Sequence, residues 1–237
     1  DQIVHDVALQ ELPVTFVLDR AGLVGADGPT HHGLLDLAYL RAIPHLVIAA
    51  PRDENELQHL LATAIESGRP FAIRFPRGAA SGMALDPDPK PLAIGRGELL
   101  RDGRDAAIVA LGKTVPAALL AAERLAELEL SVAVVDARFV KPLDVELLAD
   151  VAARVRVVLT VEDHALAGGF GSAVLEALTD AAPGTHVHRL GVGDRFIEHA
   201  EPDAQWRLAG IDAEAIVART LVALQVDGAR PRRAFAS

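Results

Sequence analysis

Cysteine is absent from the 237 residues of the sequence. This excludes disulfide bonds, a thiol nucleophile and cysteine-ligated zinc or iron–sulfur centres within the chain. Aromatic residues make up only 4% although hydrophobic residues reach 51%, so aliphatic side chains must fill the core. No apolar run approaches the roughly 18 residues of a membrane-spanning helix, and no signal peptide is visible. We therefore expect a cytoplasmic protein that does not enter a membrane.

Basic residues are outnumbered by acidic ones, which gives a formal net charge of −10. This excess argues against a surface for nucleic acid or for an anionic membrane, since both partners are polyanions. It does not argue against a small anionic substrate, because a pair of arginines inside a cleft outweighs distant acidic groups that solvent screens. We expect small-molecule partners, no nucleic acid and no membrane.

Apolar runs and helical patterns alternate through the first part of the chain, which predicts a parallel sheet with helices on its faces. Asp53 and Glu56 form a capping-box pattern at the start of the longest helical pattern, and Gly68 suits its end. The predicted elements are a buried strand at 14–18, a helix at 34–40, a strand at 46–50, a helix at 53–65 and a strand at 71–75.

Three prolines within residues 87–91 cannot lie inside a helix or a central strand. We predict a linker at 86–95 between a first domain at 1–85 and a second α/β domain at 96–226, followed by a flexible tail at 227–237. The second domain is predicted to contain strands at 106–111, 132–135, 155–161 and 187–190, and helices at 115–128, 143–149, 171–178 and 211–224.

The first ten residues have helical periodicity from the start, with Ile3, Val4, Val7 and Ala8 on one face. The sequence begins with Asp1 and not with Met. A helix that simply begins a chain would give the same pattern. We expect instead that the chain is the C-terminal part of a longer polypeptide, cut inside its first domain.

Residues 19–33, DRAGLVGADGPTHHG, follow the first predicted strand and gather Arg20, Asp27, His31 and four glycines in one loop. Loops at strand ends collect binding and catalytic groups, and glycine lets the backbone approach a ligand closely. An imidazole can move a proton near neutral pH. The combination favours a site for a small phosphorylated substrate. Such a loop is also often only a turn, with Asp27 in turn chemistry and His31 as a cap or a packed side chain.

Arg77 follows the third predicted strand as Arg20 follows the first. Ligands of open parallel sheets bind beyond the carboxyl ends of the strands, and guanidinium groups fit phosphate. Two such groups on one phosphate would make charge-assisted hydrogen bonds, roughly twice as strong as neutral ones. The alternatives are a salt bridge from Arg20 to Asp19 and a solvated edge formed by Arg74 and Arg77. We assign Arg74 to structure.

The loop at 19–33 resembles that of the 1-deoxy-D-xylulose-5-phosphate synthases, thiamine-diphosphate enzymes of the transketolase superfamily. The DRAG opening and the glycine after the two histidines point to this branch. The RFPRG segment at 74–78 is similar to the YPRG or FPRG element of the family. The resemblance extends from residue 1 to about residue 224.

Two further segments carry the resemblance. The EDH sequence at 162–164 and the GGFG sequence at 168–171 resemble the E(D/E)HxxxGGxGS element of transketolase C-terminal domains. Taken alone they suggest a metal site or a phosphate loop opening a helix, but one glycine-rich loop is a weak signal. The resemblance implies an architectural or interface role. Residues 136–144 are similar to a DxRFVKPLD segment for which we carry over no chemical role.

The resemblance implies part of a parallel-sheet pyrimidine-binding domain followed by a transketolase C-terminal α/β domain. It implies condensation of pyruvate, with loss of CO₂, and glyceraldehyde 3-phosphate to 1-deoxy-D-xylulose 5-phosphate, an isoprenoid, thiamine and pyridoxal precursor. Arg20 and Arg77 would bind the acceptor phosphate. Asp27 would contact its hydroxyls, and His31 would hydrogen-bond or transfer a proton at the new alcohol. Asp27 and His31 are therefore our catalytic candidates, and His32 is given no role.

The family binds its diphosphate through Mg²⁺ at a GDG-type motif and uses a glutamate to protonate the aminopyrimidine ring. Neither the motif nor a matching glutamate is found in this sequence. We expect the thiamine-diphosphate and Mg²⁺ ligands upstream of Asp1, so the chain alone should be inactive. The expected partners are the missing N-terminal portion and a second copy, as a homodimer.

Three alternatives stay open at this point. The chain could serve another transketolase-like ketol transferase, which would bind a sugar phosphate donor and decarboxylate no pyruvate. It could be a beta-type assembly subunit that contributes only an interface. It could also be an α/β scaffold with no site, in which case Arg20, Asp27, His31 and Arg77 would lie scattered.

Overall fold

The computed structural model describes residues 1–228, which form two β-sheets with helices packed against them. The strands are β1 (Thr15–Leu18), β2 (Val47–Ala49), β3 (Phe71–Arg74), β4 (Glu98–Arg101), β5 (Ala106–Ala110), β6 (Val132–Asp136), β7 (Phe139–Lys141), β8 (Val157–Ala165) and β9 (Val187–Val192). The helices are α1 (Asp36–Leu40), α2 (Glu54–Ser67), α3 (Val115–Ala126), α4 (Val145–Arg154), α5 (Phe170–Ala181), α6 (Pro202–Ala209) and α7 (Ala213–Gly228).

The first sheet has the strand order β1-β3-β2-β7. Strands β1, β3 and β2 run parallel, as the alternation predicted, whereas β7 is antiparallel to β2. Since β7 lies beyond the linker predicted at 86–95, the second half of the chain completes the sheet of the first. The prediction of a buried strand at 14–18 was wrong about burial: β1 lies at the sheet edge, and Val17 is 56% exposed.

The second sheet has the order β4-β6-β5-β8-β9 and is parallel except for β4. Its central strands are buried on both faces. Along β5, Ile108 packs with Ala118 of α3 and Ile216 of α7, while Val109 packs in the other cluster with Val174 of α5. Helices on both faces explain why these strands read as continuous apolar runs.

Two strands and one α-helix were not predicted. Strands β4 and β7 are short antiparallel edge strands, and α6 is a short helix with one fully buried residue, Gln205. Helix α4 and strand β8 extend further than predicted, to Arg154 and Ala165. The helix predicted at the start of the chain is present as a π-helix at Ile3–Ala8. Of its predicted apolar face only Ala8 is buried. None of the described helices could cross a membrane.

The tail predicted at 227–237 falls almost entirely outside the described residues, because 229–237 are not described and 227–228 end α7. Helix α2 begins at its predicted cap, where the backbone N–H of Glu56 donates to Asp53 Oδ1 at 2.8 Å. The Glu56 carboxylate turns instead to the N–H of Arg52 at 2.8 Å, so half of the capping box forms. Gly68, with φ of 62°, ends the helix.

Helix α2 also organises the connection between the sheets. Residues 81–92 contain no helix or strand and run along the helix. One polar face of α2 binds them, because side chains three to four positions apart share a helix face. The α2 side chains that hydrogen-bond to this connection are Glu54, Asn55, Gln58, His59 and Thr63.

An ionic cluster joins the two halves of the chain. Nη1 of Arg52 lies 2.8 Å from Oε2 of Glu98 and 3.2 Å from Oδ2 of Asp136. Arg138 pairs with Glu98 and, at 2.6 Å, with Oε1 of Glu56. Oδ2 of Asp53 also lies 3.4 Å from Nε of Arg52, so four carboxyl groups face two guanidiniums and acidic groups are in excess. Burial and the charge of Glu56 raise the pKa of Asp136 to about 8 despite both arginines.

Replacing Asp136 with Asn should flatten the pH dependence of stability. The unfolded carboxyl releases its proton near the ordinary pKa of 3.8 and the folded one near 8, so between these values the folded chain binds more protons. The free energy of unfolding should therefore fall as pH rises through this window. Urea unfolding at about pH 6 and about pH 9 measures the decline. Asp150→Asn, at an exposed carboxylate, should keep the wild-type decline; the same decline in Asp136→Asn would contradict the assignment.

Candidate active site

The candidate site lies where β1 and β3 end side by side. The two strands are parallel neighbours, so their carboxyl ends meet at one edge of the sheet. The pairing continues past both ends: the N–H of Phe75 donates to the carbonyl of Leu18, and the N–H of Ala21 donates to the carbonyl of Phe75, both at 3.0 Å. This ladder brings the loop with Arg20 against the loop with Arg77.

Arg20, Asp27 and Arg77 meet at one atom. Oδ2 of Asp27 lies 3.1 Å from Nε of Arg77 and 3.4 Å from Nε of Arg20. The arginine side chains are about half exposed, at 50% and 45%, and the Asp27 side chain is 23% exposed. Nη1 of Arg20 also contacts Asp19 at 2.7 Å, the salt bridge that the sequence left open. Among the described residues Asp27 is the ion-pair partner of Arg77, so the terminal nitrogens of Arg77 can reach a ligand.

His31 lies in the same loop as Arg20 and Asp27, and its side chain contacts Thr30 and not these residues or Arg77. Its Nδ1 lies 2.9 Å from Oγ1 of Thr30, and its ring is exposed. Its backbone N–H donates to the carbonyl of Gly28 at 3.0 Å, which fixes it one turn after Asp27. The structure therefore leaves the His31 ring exposed in this loop, with Thr30 as its side-chain partner.

His32 is a structural residue, consistent with its exclusion from the site. Its Nδ1 accepts from the N–H of Val24 at 3.2 Å, so Nε2 carries the proton and donates to the carbonyl of Ile197 at 3.0 Å. Both ring nitrogens are used, and neither can serve a substrate.

Two buried side chains of the second half hold the loop in place, and neither was a sequence-based candidate for the site. Asp163, 3% exposed, accepts from the N–H of Leu23 at 3.1 Å and from Nζ of Lys113 at 2.7 Å. Gln205 forms two bonds with the backbone of Gly25: its Oε1 accepts at 2.8 Å and its Nε2 donates at 3.1 Å. Asp163 stands between Glu162 and His164, and Gln205 lies in the polar segment EPDAQWRL, so the local sequence does not indicate which backbone groups they bind.

The EDH element at 162–164 binds backbone N–H groups of neighbouring segments. Glu162 accepts from the N–H groups of Phe170 and Gly171 at 2.6 and 2.8 Å, at the start of α5, and burial raises its pKa to about 7. Nε2 of His164 accepts from the N–H of Leu37 at 3.1 Å. Burial lowers the pKa of His164 to about 4, so the ring is neutral. In the part of the chain that the structure describes, no cluster of three metal-ligating side chains exists.

Two family models match the chain. The Transketolase, C-terminal domain model matches residues 95–216, and the Transketolase, pyrimidine binding domain model matches residues 1–82. A split-gene transketolase solved as an inactive beta4 tetramer superimposes with a TM-score of 0.83. It is 32% identical, and the match covers 95% of this chain and 71% of that chain. The predicted α/β fold class is confirmed.

Among curated relatives, a 1-deoxy-D-xylulose-5-phosphate synthase of Thermomicrobium roseum is 55% identical over 230 residues, which cover 96% of this chain and 36% of the relative. The synthase of Syntrophus aciditrophicus is 54% identical over 219 residues, or 92% of this chain and 34% of the relative. The chain therefore spans about a third of the length of these relatives. On this evidence the chain belongs to the transketolase family and is similar to the C-terminal portion of 1-deoxy-D-xylulose-5-phosphate synthases.

Proposed function

We propose that this chain is the acceptor-binding part of an enzyme that joins pyruvate, with loss of CO₂, to glyceraldehyde 3-phosphate and forms 1-deoxy-D-xylulose 5-phosphate. The observation that carries the proposal is the meeting of Arg20 and Arg77 on Oδ2 of Asp27 at the ends of two parallel strands. The similarity to the synthases supports the substrates.

The arrangement of Arg20, Asp27 and Arg77 suits the binding of a phosphorylated aldehyde. A phosphate that enters between Arg20 and Arg77 can take charge-assisted hydrogen bonds from the terminal nitrogens of Arg77 and from Nη2 of Arg20. Each Nε then stays near Asp27, and Nη1 of Arg20 stays on Asp19. The Asp27 carboxylate then accepts hydrogen bonds from the hydroxyls of the aldehyde substrate. On this proposal His31, which is exposed in the same loop as Asp27, hydrogen-bonds or protonates the new alcohol. These side chains position the acceptor and discriminate for its phosphate.

Thiamine diphosphate, when bound, supplies the carbanion chemistry of such a reaction. The pyrimidine-binding domain match supports this cofactor. Because the sequence contains no GDG-type motif, our proposal assigns Mg²⁺ and the diphosphate to residues outside this chain. On this proposal the chain alone is inactive, works with the upstream portion of the enzyme, forms a homodimer and acts in the cytoplasm.

Arg77→Ala should weaken the binding of glyceraldehyde 3-phosphate and leave the binding of pyruvate unchanged. Loss of one charge-assisted contact to phosphate costs about 1.5–3 kcal/mol, so the KM for glyceraldehyde 3-phosphate in the complete enzyme should rise by about 10- to 100-fold. The KM for pyruvate should stay within about twofold, because pyruvate carries no phosphate. Steady-state kinetics with each substrate varied in turn measures both.

The control is Arg69→Ala, at an exposed arginine before β3. It should change neither KM. Equal increases in both KM values for Arg77→Ala would contradict the phosphate assignment, as would an acceptor KM that does not move.

An assembly subunit is the second candidate, because the chain covers 71% of the split-gene transketolase solved as an inactive beta4 tetramer. Turnover and thiamine-diphosphate binding that survive the combined replacement of Asp27 and His31 would favour it. A bound sugar phosphate donor without pyruvate decarboxylation would favour another ketol transferase.

A further inference from the structure

The carboxylate of Glu54 holds the loop that follows Arg77. At the first turn of α2, Glu54 accepts hydrogen bonds from three consecutive residues. Oε2 takes the N–H and the hydroxyl of Ser81 at 3.2 and 2.8 Å, and Oε1 takes the N–H groups of Gly82 and Met83 at 2.6 and 2.7 Å. Bonds from its own N–H and from Ser81 lower the pKa of Glu54 to about 2, so it is charged at neutral pH.

The loop has little other support. A Cβ added to Gly78 or to Gly82 would find no atom within 4 Å, and both have positive φ. Residues 77–83 are exposed. Among the described residues, the backbone hydrogen bonds of Ser81, Gly82 and Met83 end on Glu54.

Arg77 stands between two fixed points. The first fixed point is Phe75, whose N–H and carbonyl continue the hydrogen-bond ladder between β1 and β3. The other fixed point is Ser81 on Glu54. Five residues, 76–80, lie between them, and Arg77 is the charged one that reaches Asp27. Without the second point the segment gains conformational freedom, and binding a ligand must then order it again.

We propose that Glu54 is a positioning residue for Arg77, which fixes the loop so that the guanidinium stays at the anion-binding edge of the sheet. The inference rests on the proposed function in that Arg77 must meet the acceptor phosphate. Neither Glu54 nor the loop at 79–83 needs to touch the acceptor itself.

The first test measures the loop directly, by amide hydrogen exchange on this chain. Glu54→Ala should speed exchange of the amides at 81–83 by about tenfold or more, because a hydrogen bond to a charged group is lost at each. Glu54→Gln keeps one accepting oxygen and should fall between. Glu66→Ala, at an exposed glutamate near the other end of α2, should match the wild type. Unchanged exchange in Glu54→Ala would overturn the proposal.

The second test separates positioning from a merely structural role. Titration with glycerol 3-phosphate, an unreactive mimic of the acceptor, should show about tenfold weaker binding for Glu54→Ala. In the Arg77→Ala background the same replacement should add nothing, because Glu54 acts through Arg77. An additive loss, or a freed loop with unchanged binding by Glu54→Ala, would overturn the proposal. If Arg77→Ala itself leaves binding unchanged, the proposed function fails and the positioning role fails with it, even where exchange shows the loop released.

Discussion

Arg74→Met should lower the free energy of unfolding by about 3–5 kcal/mol, the usual cost of breaking a buried ion pair from one side. Nε of Arg74 lies 2.7 Å from Oδ2 of Asp36, and the two side chains are only 6% and 12% exposed. Nη2 also donates to the carbonyl of Gly33 at 2.9 Å. Methionine fills much of the same volume, so the loss comes from the uncompensated Asp36 carboxylate and not from a cavity.

A double variant makes this result specific. Arg74→Met combined with Asp36→Leu removes both charges, and apolar replacement of a whole buried pair is often neutral. We expect the double variant to recover most of the stability in urea unfolding. Arg69→Met, at an exposed arginine, should stay within about 0.5 kcal/mol of the wild type. A double variant as unstable as Arg74→Met alone would show that the arginine contributes by packing and not by pairing with Asp36.

The central elements could be predicted from the sequence because their pattern reports their surroundings. Strand β5 has helices on both faces and reads as an unbroken apolar run, whereas β4 and β7 lie at sheet edges and carry mixed residues. Nothing local distinguishes FVK at Phe139–Lys141 from a loop, since the strand exists by pairing with β2, some ninety residues earlier in the chain. The edge position of β1 was likewise a matter of its neighbours and not of its own sequence.

Part of the candidate site could likewise be predicted from the sequence, and part could not. That Arg20, Asp27 and Arg77 come together followed from two strands ending at one edge and from the resemblance of their loops. The two buried side chains that hold the loop at 19–33 could not be predicted in this way, because Asp163 and Gln205 bind it from 140 and 180 positions away. A buried carboxylate at Asp163 is visible only once the fold shows which N–H groups it faces. The sequence likewise indicated Arg77 as a candidate and not Glu54, whose carboxylate binds a loop 27 positions later.

Gly22→Ala should both destabilise the chain and disturb the site. A Cβ at this position would lie 2.2 Å from Oδ2 of Asp163, closer than real Cβ atoms come. The buried carboxylate would have to leave the N–H of Leu23 at 3.1 Å and Nε1 of Trp206 at 3.2 Å. Added to a backbone strain of about 1–2 kcal/mol at φ of 80°, the lost bonds to a buried charge should bring the total to about 4 kcal/mol or more. Urea unfolding measures it.

Gly184→Ala separates the two causes, because Gly184 has a φ of 90° but no atom within 4 Å of an added Cβ. It should show the backbone strain alone, about 1–2 kcal/mol. Glycerol 3-phosphate binding should be unchanged in Gly184→Ala and weakened in Gly22→Ala, since displacement of Leu23 moves the loop that carries Asp27. Equal losses of stability would mean that Asp163 adapts to the new methyl group without cost. In that case the loop is held chiefly by Gln205, and the carboxylate is not the anchor of the site.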